Sequence, residues 1–177
     1  MAAIMIGAAT YLTWLQISGN FHEISPDTAY RAAQMDGQKL VRWHRDYGIA
    51  SVLNLRGEND GADWYETEKA VTARLGIAHI DFKMSASEEL TAEQAHELLQ
   101  IMRDAPKPML IHCKSGADRT GLASALYVAA IDGRGEEAAE LQLSPIYGHI
   151  GIPVVSAAWP MDMTWEQIEV DLLGLDS

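Results

Sequence analysis

Cysteine and positive charge are both scarce in this chain of 177 residues. The single cysteine, Cys113, cannot form an intramolecular disulfide, so cysteine usage does not assign a redox compartment, and no second thiol is present to resolve an oxidised Cys113. The 13 lysines and arginines stand against 25 acidic residues, which gives a formal net charge of −12. This balance argues against a nucleic-acid binder and disfavours electrostatic docking on anionic membranes.

Long apolar runs are also lacking. The most apolar stretch, residues 2–17, carries no charge, but it is slightly short for a membrane span and has no basic residues before it. It is either the remainder of a signal anchor or an apolar helix packed on the domain. The first interpretation is favoured because the stretch offers no polar face to solvent. We expect an apolar segment at 1–19, a folded domain at 20–177, and membrane association through that segment alone.

Short apolar runs alternate along the domain with longer amphipathic ones, which is typical of alternating strands and helices. The predicted strands are 28–31, 49–55, 77–82 and 108–111. The predicted helices are 37–47, 64–75, one that begins with the Thr91–Gln94 capping box, 122–131, 135–143 and 164–173. This order predicts an α/β fold with a central, mainly parallel sheet flanked by helices, and a ligand site at the carboxyl ends of the strands.

Residues 112–121 read His-Cys-Lys-Ser-Gly-Ala-Asp-Arg-Thr-Gly and connect a predicted strand to a predicted helix. A loop in this position binds anions, because the first amides of a helix have no intrahelical partner and carry the positive end of its dipole. A thiol placed there is expected to ionise more readily to the nucleophilic thiolate. Arg119 adds a planar fork of donors that matches phosphate oxygens. Together these groups indicate attack on a phosphate ester at phosphorus.

This run matches the Cys-x5-Arg-Thr signature and resembles the cysteine-dependent phosphatases of the protein tyrosine and dual-specificity superfamily. Residues 30–34, 47–49 and 52–56 extend the resemblance to the atypical dual-specificity phosphatases of bacteria, fungi and plants. The resemblance implies a phosphomonoester hydrolase with a dual-specificity-phosphatase-like fold and no cofactor or metal. Its implied substrates are phosphoproteins (at Tyr, Ser or Thr) or phosphoinositide-type esters. Some bacterial members lie in the periplasm behind an anchor; without an anchor the chain would be cytoplasmic.

The resemblance also implies roles for residues of the motif. Cys113 would form a thiophosphoryl enzyme that water then hydrolyses, and Thr120 would donate a hydrogen bond to its sulfur. His112 would order the loop through hydrogen bonds to the backbone. The phosphate-binding residues would be Lys114, Ser115, Gly116, Ala117, Asp118 and Arg119.

Two carboxylates compete for the role of general acid. In dual-specificity phosphatases the acid is usually an Asp on a loop that follows a strand well before the nucleophile, and Asp81 is the nearest match. However, the loop 83–90 contains no Asp, and its Glu88 and Glu89 are further options. Asp118 resembles the loop acid of myotubularin-like and some bacterial lipid phosphatases. The sequence leaves the choice between Asp81 and Asp118 open.

The sequence leaves the roles of two further basic residues and the choice among other functions open. Lys114 either contacts substrate or is a solvated lysine, and Arg56 either lines the pocket or forms a surface ion pair. The alternative function is a catalytically weak phospho-ligand-binding module, because no acid is clearly placed. Sulfur transfer and arsenate reduction also use a loop thiol, but arsenate reduction usually requires further cysteines, and this chain has none.

Overall fold

Five strands form one mixed sheet in the computed structural model, which describes residues 2–173. The strands are β1 (His22–Ser25), β2 (Ala29–Ala33), β3 (Ser51–Asn54), β4 (Ala78–Asp81) and β5 (Met109–Cys113). Their order in the sheet is β1-β2-β5-β3-β4; β1 pairs antiparallel with β2, and every other pair is parallel. The predicted α/β fold with a mainly parallel sheet is confirmed.

Seven α-helices connect and cover these strands within the described part of the chain. They are α1 (Ala2–Ser18), α2 (Gly37–Tyr47), α3 (Asp63–Leu75), α4 (Ala92–Asp104), α5 (Asp118–Ala130), α6 (Glu136–Glu140) and α7 (Trp159–Leu173). The predicted capping box is present, with Thr91 Oγ1 accepting from Gln94 N. Helices α2 and α3 both end at a glycine in the left-handed conformation, Gly48 and Gly76.

Alternate residues of the strands feed two hydrophobic cores on the two faces of the sheet. Leu53 and Ile111 point into the larger core, which they share with α4, α5 and α7. Their neighbours Val52 and Leu110 belong to a second core with α2 and α3. Both faces of the central strands are therefore covered, as a parallel sheet requires.

Two helices near the carboxyl end differ from the predicted ranges. Helix α6 covers only residues 136–140 of the predicted 135–143, because the chain then makes three-residue turns, with Gln142 N bound to Ala139 O. The carbonyl of Gln142 accepts a hydrogen bond from Arg31, which lies on β2. Helix α7 begins at Trp159, five residues before the predicted start at Thr164.

The amino-terminal helix α1 contacts the domain through a few side chains. Leu15 is fully buried, and the Tyr11 hydroxyl donates to the carbonyl oxygen of Ile146 at 2.6 Å. Trp14 and Ile17 remain exposed. Within residues 2–173, no helix has both the length and the apolar character of a membrane span. The anchor and the boundary at residue 19 stay predictions.

Candidate active site

Cys113 is the last residue of β5, the central strand of the sheet, and its side chain is 1% exposed. Residues 114–117 then lead directly into α5, so the thiol lies between the carboxyl end of a strand and the amino end of a buried helix. We call residues 113–119 the Cys113 loop. Its position at the carboxyl edge of a parallel sheet is where ligands bind in such folds.

The carbonyl oxygens of the Cys113 loop are held by donors from neighbouring segments. These bonds are Gln34 N to Lys114 O (3.3 Å), Asn20 Nδ2 to Ser115 O (3.1 Å), and Arg31 Nη2 to Gly116 O (3.0 Å) and Ala117 O (3.4 Å). Because the carbonyl oxygens are bound on the outside of the loop, the N–H groups of the same peptides point toward its inside.

The N–H groups of the loop are largely free. Those of Lys114, Ser115 and Gly116 donate to no acceptor within residues 2–173. Helix α5 begins after Ala117 without a side-chain cap, so its first N–H groups are free as well. A row of unpaired amides at a helix start forms an anion-binding cradle.

Gly116 makes the tight shape of the loop possible. Its φ is +70°, a region that L side chains rarely adopt. A Cβ at this position would also lie 2.5 Å from the backbone nitrogen of Ala33, on β2. The loop is therefore packed directly on the neighbouring strand, and only glycine fits.

Arg31 supports the loop from behind and is fully buried. Besides the two loop carbonyls, its guanidinium binds the backbone and side-chain oxygens of Gln142 at 2.9 Å, and it stacks 3.9 Å from the ring centroid of Tyr147. Burial lowers the pKa of Arg31 to about 10, so the group remains charged at neutral pH. In the sequence, Arg31 belongs only to the segment 30–34 that extends the resemblance, and no role is predicted for it.

Arg119 lies on the first turn of α5 and reaches the loop between β4 and α4. Its Nη1 donates to the carbonyl oxygen of Met84 at 3.3 Å. Its Nε is buried and has no hydrogen-bond partner among the described residues. The guanidinium is thus oriented at one end and retains a free donor at the other, as the predicted phosphate contact requires.

Arg56 contributes a further positive charge beside the loop. Its guanidinium stacks on Trp64, 3.9 Å from the ring centroid, and Nη1 binds the side chain of Gln34. Partial burial lowers the pKa of Arg56, and the charge of Arg119 lowers it further, while an ionised Cys113 opposes the shift. Arg56 therefore lies within electrostatic range of both Cys113 and Arg119. Lys114 is exposed.

A buried carboxylate contacts His112, the residue before Cys113. Glu68, on α3, is 2% exposed and accepts from His112 Nε2 at 3.2 Å and from His79 Nε2 at 2.8 Å. Burial alone would raise the pKa of Glu68, but the two histidines outweigh it and hold the pKa at about 2. The other ring nitrogen of His112 lies 3.4 Å from the carbonyl oxygen of Cys113. The backbone contact expected of His112 is present, and its stronger partner is Glu68.

Asp81 is committed to neighbours on both oxygens. Oδ1 accepts from Asn54 Nδ2 at 2.7 Å, and Oδ2 accepts from the hydroxyl of Tyr65 at 2.6 Å. His79 Nδ1 lies 3.5 Å from Oδ2. In the sheet, Asp81 pairs with Asn54, which in turn pairs with His112, so two strand spacings, about 10 Å, separate Asp81 from β5.

Asp118 is the first residue of α5 and lies beside Arg119. Its Oδ1 is 2.8 Å from Nδ1 of His149, and the other ring nitrogen of His149 is 3.0 Å from Asp162 Oδ2. Oδ2 of Asp118 has no partner among the described residues, and the side chain is 27% exposed. Of the two candidate acids, Asp118 is the one within the Cys113 loop.

The remaining candidates occupy less decisive positions. The Thr120 hydroxyl is buried and makes no hydrogen bond within residues 2–173, so its bond to the sulfur of Cys113 stays a prediction. Glu88 and Glu89 are exposed, and Glu89 accepts from Gln167 at 2.8 Å.

Comparison with known proteins places the chain in the superfamily of protein tyrosine and dual-specificity phosphatases. A family model described as "DSP-PTPase phosphatase fused to NAD+ Kinase" matches residues 18–149, well over half of the sequence. The chain belongs to this family. No curated protein matches it.

Solved structures of low sequence identity share the fold. P. aeruginosa TpbA is 23% identical with a TM-score of 0.65, covering 87% of this chain and 88% of its own. PTPMT1 is 19% identical with a TM-score of 0.63, and the coverages are 88% and 99%. The core catalytic domain of the PP-IP phosphatase SIW14 from S. cerevisiae is 17% identical with a TM-score of 0.65, and the coverages are 88% and 91%.

Three residues around the site were not identified from the sequence as functional. Arg31, Glu68 and His149 are all buried charged or polar groups that contact the Cys113 loop or its neighbours. A usable signal exists for Glu68 alone, since it is an acidic residue at a position of α3 that faces the core together with Tyr65 and Val71. For the other two, no local pattern distinguishes them from surface residues.

Proposed function

We propose that this protein hydrolyses phosphate monoesters through the thiolate of Cys113. The observation that carries the proposal is the arrangement of the Cys113 loop, whose carbonyls are bound outside and whose amides are free directly after the thiol. Such a cradle binds the equatorial oxygens of a phosphoryl group and keeps them in place during attack. The free Nε of Arg119 adds a charge-assisted donor to the same group.

The reaction proceeds in two displacements. First, the sulfur of Cys113 attacks phosphorus, an S–P bond forms, and the ester P–O bond breaks as an acid protonates the leaving oxygen. Second, a water oxygen attacks phosphorus, the S–P bond breaks, and the thiolate is regenerated while the same carboxylate accepts the water proton. The buried hydroxyl of Thr120 is suited to donate to the departing sulfur in this step.

Asp118 is the acid that the contacts favour. Both oxygens of Asp81 already accept hydrogen bonds, from Asn54 and Tyr65, so neither oxygen is left for a substrate. Asp118 has one oxygen without a partner among the described residues and lies next to Arg119. Asp81 remains the alternative that experiment must separate from it.

The substrate class is a phosphoprotein or a phosphoinositide-type ester. TpbA has been crystallised in complex with pTyr, PTPMT1 in complex with PI(5)P, and SIW14 is a PP-IP phosphatase. Arg56 and the exposed Lys114 would contact negatively charged groups of the substrate next to the scissile phosphate. A panel of phosphotyrosyl, phosphoseryl and phosphothreonyl peptides and of phosphoinositides, compared by kcat/KM, would identify the preferred class.

Hydrolysis of p-nitrophenyl phosphate by the Cys113→Ser variant tests the mechanism. We expect loss of turnover with retained phosphate binding, because the hydroxyl is a far weaker nucleophile and the amide cradle remains. Turnover at the wild-type rate would contradict the proposal. Ser87→Ala, on an exposed residue of the loop before α4, serves as the control.

A phospho-ligand-binding module remains the second candidate. The loop that contacts Arg119 through Met84 contains no Asp, so one usual position for the acid is unfilled. A wild-type protein that binds inorganic phosphate but releases no product in single-turnover assays would support this alternative.

Leaving-group dependence distinguishes the two candidate acids. Asp118→Asn is expected to slow hydrolysis of phenyl or alkyl phosphates by about 100-fold, and of p-nitrophenyl phosphate less, because a poor leaving group needs the proton more. Asp81→Asn is expected to lower stability without changing this dependence. The opposite result would assign the role to Asp81.

A further inference from the structure

His149 connects the start of α5, the helix that follows the Cys113 loop, to helix α7. Its ring is 1% exposed and lies between two carboxylates, with Nδ1 2.8 Å from Asp118 Oδ1 and Nε2 3.0 Å from Asp162 Oδ2. Asp118 begins α5, and Asp162 lies on the first turn of α7. One buried imidazole therefore joins the first turns of α5 and α7 to the loop that precedes α7.

Both ring nitrogens of His149 face carboxylate oxygens, and this arrangement determines the protonation state of the ring. A neutral imidazole carries one N–H and can donate to only one carboxylate, whereas the imidazolium donates to both. Burial opposes the charged form, but the hydrogen bonds and charges of Asp118 and Asp162 outweigh it and raise the pKa of His149. These two carboxylates are the charged groups that face the ring among residues 2–173. From helix α1, the apolar Leu12 and Leu15 lie near the adjoining Gly148.

The backbone near His149 is shaped around the bridge. Gly151 lies under Asp162, and a Cβ on Gly151 would collide with the carboxylate of Asp162. The absence of a side chain there allows Asp162 to reach the imidazole. The bridge thus depends on a steric feature as well as on charge.

We propose that His149, held by Asp162, is a positioning residue that fixes Asp118 for proton transfer in the phosphatase reaction. The inference rests on the proposed function, in which Asp118 is the acid. The Nδ1–H bond holds Oδ1 and leaves Oδ2 for the substrate. When Oδ2–H gives its proton to the leaving oxygen, the bond from His149 Nδ1 keeps the carboxyl group in the same orientation. His149 keeps both of its protons throughout.

Leaving-group kinetics test this role in the full-length chain. His149→Gln should lower kcat for phenyl phosphate about tenfold, with KM little changed and a smaller loss for p-nitrophenyl phosphate. In an Asp118→Asn background the same substitution should cause almost no further loss, because the residue acts through Asp118. His96→Gln, on an exposed position of α4, is the control. Fully additive losses would overturn the proposal.

Gly151→Ala provides a second variant that removes no polar group. Its methyl should displace Asp162 and reproduce part of the kinetic loss of His149→Gln, whereas wild-type leaving-group dependence in both variants would contradict the positioning role.

NMR titration of the His149 ring supplies a readout independent of turnover. We expect a midpoint above 6.5 in the wild type that falls in Asp162→Asn. A midpoint at or below 6.5 in the wild type would overturn the bridge even if turnover is observed. A raised midpoint in a chain without turnover would instead refute the proposed function and leave the bridge intact.

Discussion

The guanidinium of Arg31 donates to the carbonyl oxygen of Gly116 at 3.0 Å, from a strand adjacent to the one that ends at Cys113. This contact orients the Cys113 loop, because a carbonyl that is bound outside leaves the neighbouring amides free inside. Burial of a full positive charge behind the loop also adds a fixed favourable field for an anion. Arg31 thus determines both the shape of the Cys113 loop and the positive field in it.

Replacement of Arg31 should therefore impair both stability and phosphate binding. Arg31→Met leaves the carbonyls of Gly116, Ala117 and Gln142 without their donor, at an expected cost of about 3 kcal/mol in the free energy of unfolding. The increase in Tm on adding inorganic phosphate should disappear. Arg31→Lys should recover little, since one ammonium cannot replace a planar fork. Urea unfolding and thermal shift measure these effects, with the exposed Arg42→Met as control; equal losses in the two variants would contradict the argument.

Two glycines with nearly the same φ provide a matched test of loop packing. Gly116 (φ +70°) would place a Cβ against the backbone of Ala33, whereas Gly48 (φ +69°) has nothing within 4 Å. Gly48→Ala should cost only the left-handed backbone penalty, about 1 kcal/mol. Gly116→Ala should cost clearly more and abolish phosphatase activity, because the loop must move off β2. Similar stability and activity in both variants would show that the close contact is unimportant.

Local patterns in the sequence were sufficient for most elements and for the centre of the site. Cys113 and Arg119 are near neighbours in the chain, and Thr91 and Gln94 form a capping box within one turn, so both features are visible locally. The antiparallel strand β1 was missed because only one of its four residues, Ile24, is apolar.

Contacts between distant segments could not be predicted in the same way. Glu68 meets His112 across 44 residues, and His149 meets Asp118 across 31. Only the three-dimensional packing of α3 and of the loop before α7 determines these pairs. The sequence therefore indicated the nucleophile loop but not the groups that hold it, and this is why the choice of acid stayed open.

The buried Glu68 predicts a specific dependence of stability on pH. Its pKa is about 2 in the folded chain against an ordinary value of 4.5, so its contribution is complete above pH 4.5 and is lost as the pH falls toward 2. Glu68→Gln should lower the unfolding free energy at pH 7 by about 3 kcal/mol, since His79 and His112 lose their carboxylate.

The difference between wild type and Glu68→Gln should shrink steadily between pH 4.5 and pH 2.5. Urea unfolding over this range measures it, with Glu97→Gln on the exposed face of α4 as the control. A difference that is constant with pH would indicate that the carboxylate charge contributes nothing to the stability of the folded chain.

In the proposed function, Arg56 and its stacking partner Trp64 help to capture the phosphorylated ligand despite the net charge of −12. The stack on Trp64 holds Arg56 near Arg119, where two positive charges repel each other until an anion lies between them. Arg56→Met should weaken competitive inhibition by inorganic phosphate about tenfold, as expected for loss of one charge-assisted contact, with little effect on stability.

Trp64→Leu should act in the same direction but less strongly, because the charge remains while its orientation is lost. Inhibition constants at fixed ionic strength measure both effects, and Arg45→Met, which breaks an exposed pair with Asp46, should leave them unchanged. An unaltered inhibition constant in Arg56→Met would mean that Arg119 and the loop amides bind phosphate without help from Arg56.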